Sequence, residues 1–114
     1  MTITMPRGDI RPVNFFVYDA NDALVDIAFD EIYFSVKKSY LDKTPLFQKR
    51  LSDGGISSLG NGEYRFLIEA ADTDNLRIGK YVFDIEVVKG TEIKQTSVGD
   101  LNLTNEVTFV TNEG

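Results

Sequence analysis

The stretch Tyr81-Val82-Phe83-Asp84-Ile85-Glu86-Val87-Val88 decides the fold class. Tyr81, Phe83, Ile85 and Val87 alternate with Val82, Asp84, Glu86 and Val88, and a period of two sends alternate side chains to opposite faces of a pleated strand. The same period recurs upstream. Ile32, Phe34 and Val36 alternate with Tyr33, Ser35 and Lys37, and Tyr64, Phe66 and Ile68 alternate with Arg65, Leu67 and Glu69. These runs are rich in aromatic and β-branched residues, which suit a half-buried strand. Val13 to Tyr18 reads as another strand. Thr2 to Arg7 reads as an opening edge strand, because Pro6 has no amide to give a neighbour. Shorter strands are predicted at Leu46 to Leu51, Glu92 to Ser97, Leu101 to Leu103 and Val107 to Val110.

Turn formers separate the runs. Asp19 to Asp22 and Asp53-Gly54-Gly55 read as turns, Gly60-Asn61-Gly62 and Lys89-Gly90-Thr91 as hairpin connections, and Asp72 to Leu76 as one helical turn. Short strands at this spacing predict an all-β antiparallel sandwich of seven to nine strands, one domain over residues 1–114, with Thr111 to Gly114 frayed. Phe15, Val17, Phe34, Val36, Tyr64, Phe66, Ile68, Phe83, Ile85 and Val87 are expected to line one core between the sheets.

Composition narrows the chemistry. The chain has no cysteine, which removes disulfides and thiolate nucleophiles, and no histidine, the commonest general base and transition-metal ligand. Triads of the Ser-His or Cys-His kind cannot be built from it. No glycine-rich motif that cradles phosphate is present. The expectation is a protein that is not an enzyme and carries no metal, nucleotide or redox cofactor. A net charge of −6 disfavours contact with nucleic acid. No apolar run approaches the ~20 residues of a membrane span, and Met1 to Ile10 lacks a hydrophobic signal core, so synthesis in a cytoplasm without export is expected.

The segment from Asp72 to Ile85 places an acidic loop, Leu76 and Gly79 before Tyr81 and Phe83. It resembles the approach to strand F of immunoglobulin-like domains, where a corner tyrosine precedes the core cysteine by two residues and bonds upstream backbone. The resemblance makes Tyr81 the corner tyrosine, puts Phe83 at the cysteine position and leaves Phe34 to replace the usual core tryptophan. A second resemblance covers most of the chain. Met5-Pro6-Arg7-Gly8-Asp9, Ile32 to Lys37, Gly79 to Ile85, Thr96 to Leu103 and Val107-Thr108 follow one another as in small Ig-like tail and baseplate proteins of phages of Gram-positive hosts, including the N-terminal domains of baseplate upper proteins. That resemblance implies a virion component, made in a bacterial host and bound to other virion subunits or to itself.

Several motifs have plainer explanations. Arg7-Gly8-Asp9 spells an integrin-binding triplet, but its place between two predicted strands beside Pro6 and Pro12 favours a turn. Asp72, Asp74 and Asn75 supply oxygens of the kind calcium takes, yet Leu76 falls where a further ligand is needed, so a turn or cap is expected. Asp84 and Glu86 share one strand side, with carboxylates ~7 Å apart. Glycosidase pairs span such distances but come from different strands, so these two are read as solvated. Lys37, Lys38, Lys43, Lys49 and Arg50 make the middle of the chain basic, read as a solvated face, with a weak docking patch for an acidic partner as the alternative.

Phe16, Tyr18, Tyr33 and Val82 fall on outward strand positions. They mark either a subunit interface or faces covered by loops or an N-terminal arm. Leu101 to Val110 carries little charge and is expected to be the edge open to pairing, with those four residues beside it. The leading expectation is a virion structural protein acting through protein contacts. The alternative is a carbohydrate-binding or adhesive module on the same fold, kept open by five tyrosines.

Overall fold

The structure, a computed structural model, describes residues 1–105. Among them are eight strands: β1 (Thr2–Pro6), β2 (Arg11–Phe16), β3 (Glu31–Lys37), β4 (Phe47–Arg50), β5 (Ile56–Gly60), β6 (Glu63–Ile68), β7 (Gly79–Lys89) and β8 (Ile93–Thr104), with one helical turn, α1 (Ala70–Thr73). The strands form a five-stranded sheet in the order β1-β8-β7-β3-β4 and a three-stranded sheet in the order β2-β6-β5. This is an immunoglobulin-like sandwich. β2, β6 and β5 take the places of strands B, E and D, while β3, β7 and β8 take those of C, F and G, with β4 added as C′. The opening strand departs from the constant-type plan, in which A lies with B, E and D. Here β1 pairs with β8, in parallel, from Thr2 opposite Asp100 to Pro6 opposite Thr104.

All ten predicted core residues are buried. Phe34 sits at the centre, its ring centroid 4.2 Å from that of Phe66 in the opposing sheet and 5.3 Å from that of Phe83 on the neighbouring strand. It fills the layer that tryptophan fills in antibody domains. Ile3 and Met5 of β1, Ile56 of β5, and Leu101 and Leu103 of β8 extend the core beyond the predicted set.

Several boundaries differ from expectation, among them the strand read over Val13 to Tyr18, which runs from Arg11 to Phe16. Glu92–Ser97 and Leu101–Leu103 are not separate strands but parts of β8. Gly99, which lies between the two predicted strands, is needed for packing, because a Cβ there would stand 2.5 Å from Cζ of Phe83 and collide with the Met1 carbonyl. β5 has no counterpart in the sequence reading. Of its residues Ile56 is buried and the rest face solvent, so it shows no alternation to detect. The helical turn starts at Ala70, ahead of the expected Asp72, because a capping box forms in which Asp72 accepts from the Glu69 amide at 2.7 Å. Turns fall where predicted: Asn61 and Gly62 take φ of 55° and 79° between β5 and β6, a conformation asparagine and glycine tolerate best. The predicted strand Val107–Val110 and the predicted fraying of Thr111–Gly114 lie outside the described residues.

Candidate interaction surface

The corner after β6 ties the two ends of the chain's first half together. Tyr81 is buried, and its hydroxyl donates to the Arg77 carbonyl at 2.6 Å, the bond the resemblance implies. Thr73 is fully buried and its hydroxyl accepts from the Gly8 amide at 2.8 Å, while Arg7 donates to the Leu76 carbonyl at 3.2 Å. Arg7-Gly8-Asp9 is thus a turn docked on this corner, with Gly8 at φ 84°. Asp72 serves structure as well. Its carboxylate holds Lys49 at 2.7 Å besides capping α1, and Glu69 holds the same ammonium at 3.1 Å. Burial opposes the charge on Lys49, but its two carboxylate partners outweigh burial and raise its pKa above the ordinary lysine value.

The basic residues do not gather into one patch. Lys49 turns to α1, Lys37 lies 3.9 Å from Asp84, Lys38 covers the Tyr81 ring, and Arg50 covers Tyr33. Asp84 and Glu86 stand half-buried on the outer face of the larger sheet in a shallow depression with Tyr33, Ser35, Gln48 and Thr96.

The four predicted interface residues divide between two sheets. Tyr33 and Val82 lie on the outer face of the larger sheet, opposite Glu86 and Lys37 respectively, and both are half-buried. Phe16 and Tyr18 lie at the β2 edge of the smaller sheet, 46% and 49% exposed, with ring centroids 6.5 Å apart. The expectation that all four flank one open edge is therefore corrected. Alternation alone cannot say which sheet a strand joins. The expected open edge is corrected too: Leu101–Thr104 is covered by β1.

The opening lies further back along β8. Asp100 donates to the Met1 carbonyl at 3.1 Å, so even-numbered residues of β8 turn their backbone groups away from β7. The β7–β8 register runs unbroken to Lys89 opposite Ile93. Lys94, Thr96 and Val98 therefore present N–H and C=O groups along the part of the edge outside the β1–β8 register, and no described strand pairs with them there. Beneath this edge the two sheets part. Between β2 and β8 is an apolar slot of about 190 Å³, floored by Phe15, Val17, Ile85 and Val87, with Met1 at one end and Gln95 across its mouth. Gln95 donates to the Tyr18 carbonyl at 2.8 Å, the polar contact bridging the gap. Two strand edges, an apolar slot between them and exposed Phe16 and Tyr18 at its lip make a surface suited to an extended peptide. Phe16 and Tyr18 are legible in the sequence but the slot is not, because its lining comes from both sheets.

No protein-family model matches the chain, and no curated protein matches it.

Proposed function

We propose that the chain is a non-catalytic structural subunit of a phage or prophage particle, of the tail or baseplate, which works through contacts with other virion subunits or with itself. The observation that carries the protein-contact reading is the open side of the sandwich: an unpaired stretch of β8 above an apolar slot, lipped by Phe16 and Tyr18. Unpaired strand edges are template surfaces for another chain, and isolated domains usually blunt them. The virion assignment rests on the order of segments that resembles tail and baseplate proteins, from Met5–Asp9 to Val107-Thr108.

The carbohydrate reading draws less support. Of the five tyrosines, Tyr64 and Tyr81 are buried and Tyr33 lies under Arg50. The Tyr40 hydroxyl is engaged by the Gly99 carbonyl at 3.1 Å. Tyr18 and Tyr40 remain half-exposed on different parts of the surface, and Tyr18 is tilted 44° against Phe16 rather than set in a flat platform with it. Particle incorporation of Phe16→Asp tests the proposal. The variant is expected to fold with an unchanged melting curve and to be left out of particles. Normal incorporation of the folded variant would remove Phe16 from the contact, and binding on a glycan array would favour the rival reading.

A further inference from the structure

The two ends of the sandwich differ in charge. β3 has the β2–β3 connection at its start and the β3–β4 loop at its end, about 20 Å apart at ~3.3 Å per residue. No basic residue occurs from Pro12 to Val36, and the connection carries Asp19, Asp22, Asp26 and Asp30. From Lys37 to Gln48 there are three lysines and one acid, Asp42, whose carboxylate accepts from the Ser39 amide at 3.1 Å. Among the described residues no ion pair engages Asp26 or Lys43.

Each end also has its own apolar shape. The β3–β4 loop holds a knob in a fixed turn: the Asp42 amide donates to the Ser39 carbonyl at 3.0 Å, and the Leu41 amide donates to the Ser39 hydroxyl at 3.2 Å. The Tyr40 hydroxyl is tied to the Gly99 carbonyl. Leu41 stands at the tip, 91% exposed, between Lys38 and Lys43. A side chain already held in place loses little freedom on docking. At the acidic end a pocket of about 230 Å³ opens between the β2–β3 connection and the β5–β6 hairpin. Buried Phe29 and Tyr64 line it, with Asp26, Ile27 and Ser58 exposed around it. The Tyr64 hydroxyl donates to the Ile27 carbonyl at 3.2 Å and fixes that wall. A cavity of ~150 Å³ accepts a benzene ring, so the pocket takes a leucine side chain.

Knob and pocket lie at opposite ends of β3, so Leu41 cannot fill the pocket of its own molecule. Opposite charge beside the two makes each end of one copy the complement of the other end of the next, whereas like ends repel. We propose that copies of the chain stack head to tail, with Leu41 of one entering the pocket beside Asp26 of the next and Lys43 meeting that aspartate. The contact is heterologous, so it builds a ring or a filament. It goes beyond the reading above: it uses the ends of the sandwich and leaves Phe16, Tyr18 and the β8 edge free.

The test uses the full chain. Sedimentation over a wide concentration range is expected to show association that Leu41→Asp weakens at least about tenfold and Phe16→Asp leaves unchanged. Lys43→Glu and Asp26→Lys should each weaken it, and the variant carrying both should recover it. The protein has no cysteine, so paired substitutions report contact without background. A Leu41→Cys copy mixed under air with a Ser58→Cys copy should form a cross-linked heterodimer. With an Asn75→Cys copy, whose cysteine lies at the same end as Leu41, it should not. A chain that stays monomeric at every concentration, association unchanged by Leu41→Asp, or cross-linking to Asn75→Cys as good as to Ser58→Cys would overturn the proposal. If it falls while Phe16→Asp still keeps the folded protein out of particles, the protein-contact reading stands and the end-to-end contact alone is lost.

Discussion

Single residues hold this sandwich at places where chemistry, not hydrophobicity, decides. Tyr81→Phe leaves the buried Arg77 carbonyl without its hydroxyl donor, and urea denaturation should show a loss of roughly 1–3 kcal/mol; an unchanged midpoint would mean that the bond contributes nothing. Glu31 gives a pH signature. Burial pushes its carboxyl upward, but hydrogen bonds from the Ser52, Ile32 and Leu51 side outweigh burial and hold its pKa below the ordinary 4.5. A lowered carboxylate pKa adds stability above its unfolded value, and that stability is lost as pH falls through the folded value. Glu31→Gln should therefore be less stable than the parent at about pH 6, and the gap should be smaller at about pH 3, because the contribution fades as pH falls through the lowered folded value. Urea midpoints at the two pH values check it. Tyr81 was readable from sequence because its partners lie within a few residues. The Glu31 tether was not, since Ser52 comes from beyond β4 and nothing local marks it.

At the scale of elements, readability followed alternation. β3, β6 and β7 each carry three or more apolar residues at every second position, and each formed with the expected face inward. β5 carries Ile56 alone, so its existence depends on β6 being there to pair with. β8 reads as two short strands because Val98-Gly99-Asp100 breaks the run of strand formers. In the fold, Gly99 makes room for Phe83 and the Met1 carbonyl while the ladder continues. Gly99→Ala should thus cost about 1–3 kcal/mol through overpacking, against a negligible effect on a true turn glycine of negative φ. Thermal melts of Gly99→Ala beside the parent would show it, and an unshifted midpoint would mean that β1 and Phe83 yield freely.

The whole molecule is a two-sheet sandwich with an apolar slot between β2 and β8. Its larger sheet gains β1 at an edge, but β1 covers only part of β8. Alternation showed which side chains leave the core. It could not show that Phe16 and Tyr18 stand at a gap while Tyr33 and Val82 sit on a separate, charged face, because that division arises from strand order. The central claim is that the Lys94–Val98 edge is where the protein pairs. Amide hydrogen exchange, followed residue by residue as the full chain goes from dilute to assembled, tests it most directly. The amides of Gln95 and Ser97 point to β7 and should be protected throughout. Those of Lys94, Thr96 and Val98 should exchange fast in the dilute protein and become protected on assembly. Assembly that leaves these three amides fast, or protection already present in the dilute monomer, would contradict the account.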